Sequence, residues 1–319
     1  MPRVHAIIGF GVTGQSVARH MLRNGTPCVV FDTRSPQRLS EEFRGIEVHW
    51  QIGQWSAAQL REYLSDVERL VVSPGLPLDL AILLKARQLK LPIVSDIDLF
   101  FEATSAPVIG VTGTNGKSTV VSLVGHIFNS LGQACGVGGN IGVAALDLLA
   151  QPREQYVLEL SSFQLERSES LGLRLATVLN LSADHLDRYA SLNDYHRAKH
   201  AIFKQVGHVV ANRDDALTIP LLPEDTPVTW WRSGEPDLDE FGLRTIDGVT
   251  WLCRGVTPLL SSDALTLSGT HNCLNVLAAV ALGSALALPM DSLLEGAKRY
   301  RGLPHRCQFV GDVNGVRVI

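Results

Sequence analysis

The chain is poor in the features that mark nucleic-acid, membrane or disulfide-stapled proteins. Lys and Arg total 28 against 32 Asp and Glu, a net charge of −4. There is no polybasic run, which argues against a nucleic-acid partner and against an anionic membrane surface. Cysteines number five, an odd count, scattered at 28, 135, 253, 273 and 307 with no Cys-x-x-Cys pair. They read as reduced thiols that fill core space in a cytosolic protein. The longest apolar helical stretch, about Val276 to Leu288, is broken by Gly283 and Ser284 and is too short to span a bilayer. No signal-peptide layout precedes the first strand, and neither an internal repeat nor a low-complexity segment occurs. These absences lead us to expect a soluble, cytoplasmic chain that is not inserted in a membrane and does not bind nucleic acid.

What is present is α/β patterning over a length of 319 residues, enough for roughly two domains. Val4–Ile8, Cys28–Phe31 and Leu70–Val72 read as buried strands, with helices near Thr13–Arg23 and Ala57–Leu64. That alternation predicts a parallel sheet covered on both faces. A second α/β unit is expected from about Ser95, with strands near Tyr156–Leu160 and Thr177–Leu181 and a long helix from about His271 to Leu288. The interval Ala216–Leu267, rich in Pro, Gly and Trp, predicts short antiparallel strands. Cys307–Val310 and Val316–Ile319, joined through Gly-Asp-Val-Asn-Gly, predict a terminal hairpin.

The segment Pro107-Val-Ile-Gly-Val-Thr-Gly-Thr-Asn-Gly-Lys-Ser-Thr119 carries the strongest chemistry. It reads as an apolar strand, a glycine turn, then Lys117, Ser118 and Thr119 opening a helix to about Leu131. Such a turn offers backbone N–H groups and a helix N-terminus to an anion, a lysine to phosphates and a hydroxyl to Mg²⁺. It is a variant, because Val111 stands where the strict phosphate-loop pattern has its first glycine. Glu159 ends an apolar strand, where a carboxylate suits Mg²⁺; without Lys117 and Ser118 it would read as a solvated strand end.

Other motifs leave alternatives open. Gly9-Phe-Gly-Val-Thr-Gly14, with Asp32 eighteen residues on, has dinucleotide-fingerprint spacing. It fits NAD, a different nucleotide at the same strand ends, or a turn needed only for helix–strand packing. Asn180-Leu-Ser-Ala-Asp-His-Leu-Asp-Arg-Tyr189 is a polar cluster in which His185 fits a metal, a phosphate or a purely structural place. Lys199 by itself reads as a solvated helix lysine, since an ammonium cannot ligate Mg²⁺ without conversion to an anion.

Taken together, these residues resemble the Mur ligase family over the whole chain. Gly-Thr-Asn-Gly-Lys-Ser-Thr is shared with folylpolyglutamate synthases and marks only the superfamily. The D-glutamate-adding branch is indicated by Gly9–Gly14, Asp32-Thr-Arg34, Ser73-Pro-Gly75, Asp96-Ile-Asp-Leu-Phe100, Leu158-Glu-Leu-Ser-Ser-Phe-Gln-Leu-Glu166 and Gly302-Leu-Pro-His-Arg306. The resemblance implies a Rossmann-like substrate domain over 1–94 and a phosphate-loop ATPase-like α/β domain over 95–302. A short piece of a third, largely missing Rossmann-like domain would occupy 303–319. It further implies an ATP-dependent amide ligase of peptidoglycan synthesis, a monomer, joining UDP-N-acetylmuramoyl-L-alanine to D-glutamate. Gly113, Thr114, Asn115, Gly116, Lys117, Ser118, Thr119, Asn272, Asn275 and Arg306 would surround ATP. Val12, Thr13, Asp32, Thr33, Arg34 and Gly75 would hold the uridine diphosphate, Asn140 would meet the muramoyl substrate, and Ser161 and His185 would be further substrate-binding residues. One Mg²⁺ would sit on Ser118 and Glu159, a second on His185 and a Lys199 carbamylated by CO₂. Lys117, His185 and Lys199 would be the catalytic residues.

On that reading the chain would stop before the domain that closes over ATP, leaving a fragment that binds substrate without efficient ligation, its acyl phosphate open to water. Two rival classes remain from the residues alone. An NAD-linked oxidoreductase would rest on Gly9–Gly14 and Asp32, and a non-catalytic nucleotide-binding module would rest on the two glycine turns without turnover.

Overall fold

The computed structural model describes residues 4–34, 39–50, 55–168, 171–184, 187–303, 311–313 and 316–318, the last two segments as backbone. The chain divides into two compact units. One comprises Met1–Ser105, Val143–Gln151 and Glu166–Ser170, the other Ala106–Gly142, Pro152–Leu165 and Leu171–Ile319. Among the described residues no helix is long and apolar enough to cross a membrane.

The first unit runs β1 (Val4–Ile8), α1 (Val12–Arg23), β2 (Cys28–Asp32), β3 (Glu47–Trp50), α2 (Ala57–Tyr63), β4 (Val67–Val72), α3 (Ala81–Gln88), β5 (Ile93–Val94) and α4 (Asp96–Ala103). All pairings in its sheet are parallel, in the order β3-β2-β1-β4-β5. Parallel strands covered on both faces need near-continuous apolar runs, and Ala6, Ile8, Phe31, Leu70 and Val72 are accordingly buried. Strand order reverses between β1 and β4, so a crevice opens at their carboxyl ends, the place where open α/β sheets take ligands. Gly14 makes this possible: a Cβ there would lie 1.9 Å from the Gly9 carbonyl oxygen. α4 is started by a reciprocal cap, Ser95 and Asp98 each bonding the other's backbone N–H.

The second unit follows as β6 (Val108–Thr112), α5 (Lys117–Ser130) and β7 (Cys135–Gly139). The short helix α6 (Ala145–Leu148) then belongs to the first unit, with the Arg19 guanidinium donating to both carboxylate oxygens of Asp147. Beyond it come β8 (Gln155–Glu159), α7 (Ser162–Arg167), β9 (Leu175–Val178), α8 (Leu192–His200), β10 (Val209–Asn212) and β11 (Val228–Trp231). The chain continues through β12 (Phe241–Ile246), β13 (Val249–Arg254), β14 (Thr257–Ser261), α9 (Thr270–Ala285), α10 (Met290–Arg299), β15 (Gly311–Val313) and β16 (Val316–Val318). Nine strands form one sheet in the order β14-β13-β12-β11-β10-β9-β6-β8-β7. β6 lies between β8 and β9, parallel to both, so the ends of these three strands open at one edge. Apolar side chains of α5, α9 and α10 join one core, among them Val124, Phe128, Leu277 and Leu293.

The sequence expectation of an α/β chain with a parallel first sheet holds, and one local expectation does not. Within 216–267, β12, β13 and β14 are antiparallel as expected, but β11 runs parallel to both β10 and β12. Residues 213–227 between β10 and β11 are long enough for the crossover that parallel pairing needs. The terminal hairpin pairs Gly311–Val313 with Val316–Val318, closer to its turn than the expected strand at 307–310, which lies outside the described residues. Pairing Val313 with Val316 brackets an Asn-Gly dipeptide, the preferred two-residue hairpin connection.

Candidate functional site

The turn after β6 places the phosphate-type residues on one short path. Gly113 (φ +148°) and Gly116 (φ +82°) bracket Thr114 and Asn115, and Gly116 precedes the first turn of α5. A left-handed N-cap without a side chain leaves the N–H groups of Lys117, Ser118 and Thr119 facing forward with the positive end of the helix dipole behind them. The Lys117 ammonium donates to the Thr114 carbonyl at 2.8 Å, folding its stem back over the turn.

β8 runs alongside β6 in parallel register, Val111 opposite Glu159, and that pairing brings the carboxylate to the turn. The Ser118 hydroxyl donates to Glu159 Oε2 at 2.7 Å, and Asn140 Nδ2 donates to Oε1 at 3.0 Å. Glu159 is 3% exposed, so its charge sits where solvent screens it little. A buried carboxylate oxygen beside a hydroxyl is the hard-oxygen pair that Mg²⁺ takes, with phosphate oxygens and water to complete six ligands. Among the described residues no three His, Cys, Asp or Glu side chains gather into a metal cluster.

Lys199 is not the solvated helix lysine that its neighbourhood in the sequence suggests. It is 2% exposed on the inner face of α8, donating to the Gly113 carbonyl at 2.8 Å and reaching Thr112 Oγ1 at 3.4 Å. The Tyr195 ring lies one helical turn earlier, its centroid 5.0 Å from the ammonium. Burial, reinforced by the Lys117 charge, pushes the Lys199 ammonium down to about 7, while Asp184 and Glu159 pull it back up. His185 and Arg306 lie outside the described residues.

Asn272 and Asn275 reach the same region from the first turns of α9. Asn272 Nδ2 donates to the Ser268 carbonyl at 2.8 Å, and a Cβ on Gly116 would come within 2.4 Å of Asn275 Oδ1. A cavity of about 550 Å³ opens beside Asn275, lined also by Asn115, Gly116, Asn180, Asn212 and Trp231. Ser161 serves as a cap of α7: its hydroxyl accepts from Gln164 N while Gln164 Oε1 accepts from Ser161 N.

In the first unit the crevice at the ends of β1 and β4 encloses about 520 Å³. Val12, Thr13, Asp32, Thr33, Arg34 and Gly75 all line it, together with Phe10, Trp55, Leu76 and Leu80, which sequence reasoning did not single out. Asp32 is 4% exposed and its carboxylate is saturated. Oδ1 accepts from Arg34 N and Nε at 2.8 and 2.9 Å; Oδ2 accepts from Phe10 N and Arg34 Nη2, each at 2.7 Å. Burial alone would push this carboxyl up, but the bonds from Arg34 and Phe10 and the guanidinium charge together hold it below its ordinary value. Four donors on a carboxylate use its four lone-pair sites, leaving none for the ribose hydroxyls that an NAD-type acid must accept.

Sequence reasoning also passed over Asn180 and Tyr195. Asn180 carried a signal, a polar residue directly after an apolar strand; Tyr195 carried none beyond its i,i+4 relation to Lys199.

A Rossmann-like α/β unit followed along the chain by a phosphate-loop α/β unit defines a nucleotide-using protein of α/β class. Residues 111–283 match the Mur ligase middle domain, and residues 3–95 match the N-terminal domain described as Mur ligase MurD-like. The chain is 44% identical over 312 residues to the UDP-N-acetylmuramoylalanine–D-glutamate ligase of Pseudomonas aeruginosa, spanning 97% of this chain and 69% of that protein. It is 41% identical to the enzyme of the same name from Acinetobacter baylyi, with 98% and 68% covered. In fold it resembles the UDP-N-acetylmuramate:L-alanyl-gamma-D-glutamyl-meso-diaminopimelate ligase of Neisseria meningitides, at TM-score 0.65 and 20% identity, covering 96% of this chain and 100% of that one. UDP-N-acetylmuramate-alanine ligase of Thermotoga maritima gives 0.61 and 21%, covering 98% and 72%. The chain belongs to the Mur ligase family, whose members are ATP-dependent, peptide-bond-forming ligases.

Proposed function

We propose that this chain carries the substrate and nucleotide sites of a ligase that joins D-glutamate to UDP-N-acetylmuramoyl-L-alanine in cytoplasmic peptidoglycan precursor synthesis. The observation that carries the reading is the Lys117–Ser118–Glu159 grouping on the turn after β6, in a chain 44% identical to a relative bearing that activity in its name. Residues 1–94 take the uridine diphosphate part of the substrate, with Val12, Thr13, Asp32, Thr33, Arg34 and Gly75 around it. Residues 95–302 take ATP on Gly113 to Thr119, with Asn272 and Asn275 beside it. The saturated Asp32 carboxylate supports a uridine compound over NAD, because its oxygens already organise Arg34 and the Phe10 N–H.

The reaction needs activation, since a carboxylate is a poor acyl donor. An oxygen of the alanyl carboxylate attacks the γ-phosphorus of ATP, the bond to the β-phosphate oxygen breaks, and ADP leaves with the electron pair. The D-glutamate amine then attacks the acyl carbon, loses a proton, and inorganic phosphate departs from the tetrahedral intermediate. In the first step the Lys117 ammonium offsets charge gathering on the phosphoryl oxygens, and the α5 N-terminus adds fixed N–H dipoles. Ser118 and Glu159 would hold Mg²⁺, whose charge neutralises phosphate oxygens when bound. Asn140 keeps the Glu159 carboxylate oriented by its bond to Oε1. Asn140, Ser161 and His185 serve the muramoyl side of the substrate, and Arg306 the nucleotide.

With His185, Lys199 would hold a second Mg²⁺ once its neutral amine has added to the carbon of CO₂ and released a proton, forming an anionic carbamate. Its burial supports this, because lowering the ammonium to about 7 leaves part of it as the neutral amine that adds to CO₂. Lys117, His185 and Lys199 are the residues assigned to catalysis.

Calorimetric titration with UDP-N-acetylmuramoyl-L-alanine, with NAD as the control, tests the substrate site. Binding of the uridine compound alone is expected; binding of NAD alone would return the oxidoreductase reading. Phosphate release from ATP that depends on D-glutamate tests the reaction itself.

A further inference from the structure

We infer that Asn180 is a positioning residue for the phosphate loop, a side-chain amide that extends the β6–β9 ladder beyond the end of the sheet and sets where the phosphate cradle begins. The inference rests on the loop being the ATP phosphate site, as argued above.

β9 pairs with β6 in parallel as far as Thr112 opposite Val178. Two residues further on each strand stand Thr114 and Asn180. The Asn180 backbone carbonyl accepts from Thr114 N at 3.0 Å, which is one more rung. Its side chain then adds what the departing backbone cannot. Oδ1 accepts from Asn115 N at 2.8 Å and from Thr114 N at 3.1 Å, and Nδ2 donates to the Asn115 carbonyl at 3.0 Å. The amide thus grips Asn115 at both its N–H and its C=O, as a neighbouring peptide group in a sheet would.

Thr114 and Asn115 are flanked by two glycines with positive φ, Gly113 at +148° and Gly116 at +82°. Glycines at both ends leave the intervening peptides conformationally free unless something outside the turn holds them. Gly113 packs so closely on β9 that an added Cβ would sit 3.1 Å from Leu179 Cβ and 3.3 Å from Asn180 N. The grip therefore acts across a tight seam. Its consequence is a division of donors: the N–H groups of Thr114 and Asn115 are turned toward β9, and those from Gly116 onward are left for phosphate oxygens. No covalent or metal-ligating part is assigned to Asn180; it acts through the loop.

The test is calorimetric titration of the full chain with ATP and Mg²⁺, paired with hydrogen exchange at the Asn115 amide, for the wild type, Asn180→Ala and Asn180→Asp. Losing the side-chain grip in Asn180→Ala is expected to weaken ATP binding roughly tenfold or more and to speed Asn115 exchange at least as much. Affinity for UDP-N-acetylmuramoyl-L-alanine should stay within about twofold, since its uridine diphosphate part is assigned to the other unit and none of its assigned residues is bonded to Asn180. Asn180→Asp keeps the acceptor, so it should retain Asn115 protection while losing the bond to the Asn115 carbonyl. A merely structural role would lower stability and both affinities together and would give no rescue of exchange by aspartate. ATP affinity of Asn180→Ala within twofold of the wild type overturns the inference, as does equal loss of exchange protection in both variants. A wild-type chain that binds the uridine compound but no ATP overturns the reading of the loop itself, and this inference with it.

Discussion

Replacing Gly116 with alanine is expected to weaken ATP·Mg²⁺ binding far more than it weakens the fold. Gly116 has φ +82°, and holding an L-residue in the left-handed region costs about 1–2 kcal/mol. The new Cβ would also sit 2.4 Å from Asn275 Oδ1 and 3.3 Å from its Cγ. If Asn275 stays in place, overpacking adds about 1–3 kcal/mol; if it turns aside, the cost is one weakened amide bond and a displaced wall of the cavity beside the loop. The two contributions together come to about 2–5 kcal/mol, or roughly thirtyfold to a few thousandfold in affinity. The loop can escape the strain by relaxing when no nucleotide is bound, so the loss should be read in calorimetric titration with ATP rather than in melting temperature. Gly132→Ala is the control: φ there is +75°, but nothing lies within 4 Å of the added Cβ. It should lose about 1–2 kcal/mol of stability and no nucleotide affinity. If Gly116→Ala bound ATP within threefold of the wild type while Gly132→Ala behaved as expected, the contact with Asn275 would carry no weight and the reasoning would fail.

Asp32→Asn should weaken the uridine-linked substrate roughly tenfold or more, because the charge that organises Arg34 is gone; unchanged affinity would remove Asp32 from the site. The same variant tests pH dependence. The folded-state pKa of Asp32 is depressed, so the stability it contributes is full above the ordinary carboxylate value of about 3.9 and is lost as pH falls through the lower folded value. The urea midpoint of the wild type should therefore fall more steeply in acid than that of Asp32→Asn; parallel pH curves would contradict the assignment. Glu159→Gln should bind ATP with little response to Mg²⁺, roughly a tenfold or greater loss of metal-dependent affinity, whereas a full Mg²⁺ response would place the ion elsewhere. Gly14→Ala drives a Cβ to 1.9 Å from the Gly9 carbonyl, a backbone atom that cannot swing away. It should cost about 1–3 kcal/mol or more and reduce uridine-compound binding, and a variant as stable as the wild type would show that α1 is not seated by that contact.

The readable parts of this chain were those in which local pattern and global fold agree. Val4–Ile8 and Cys28–Asp32 are apolar because both faces of their sheet are covered, so composition alone marks them as strands. The strand, glycine turn and helix that carry Lys117 and Ser118 were legible because they form one contiguous stretch. The direction of β11 was not, since its parallel pairing depends on where the chain returns after residues 213–227. Nor was the character of Lys199: residues around it on α8 look solvated, and only packing against the phosphate loop buries its ammonium.

By itself the sequence determined the α/β class, the two glycine turns and the family, because each is written in residues close together along the chain. Tertiary structure alone decided which distant side chains share a charge or a bond. Glu159 meets Ser118 through the register of β8 on β6, Asn180 grips Asn115 through the register of β9, and Asp32 is saturated because Arg34 folds back onto it beside the Phe10 N–H. Strand register is a long-range property, set by packing across the sheet rather than by neighbours in sequence, and the chemistry of both sites hangs on it.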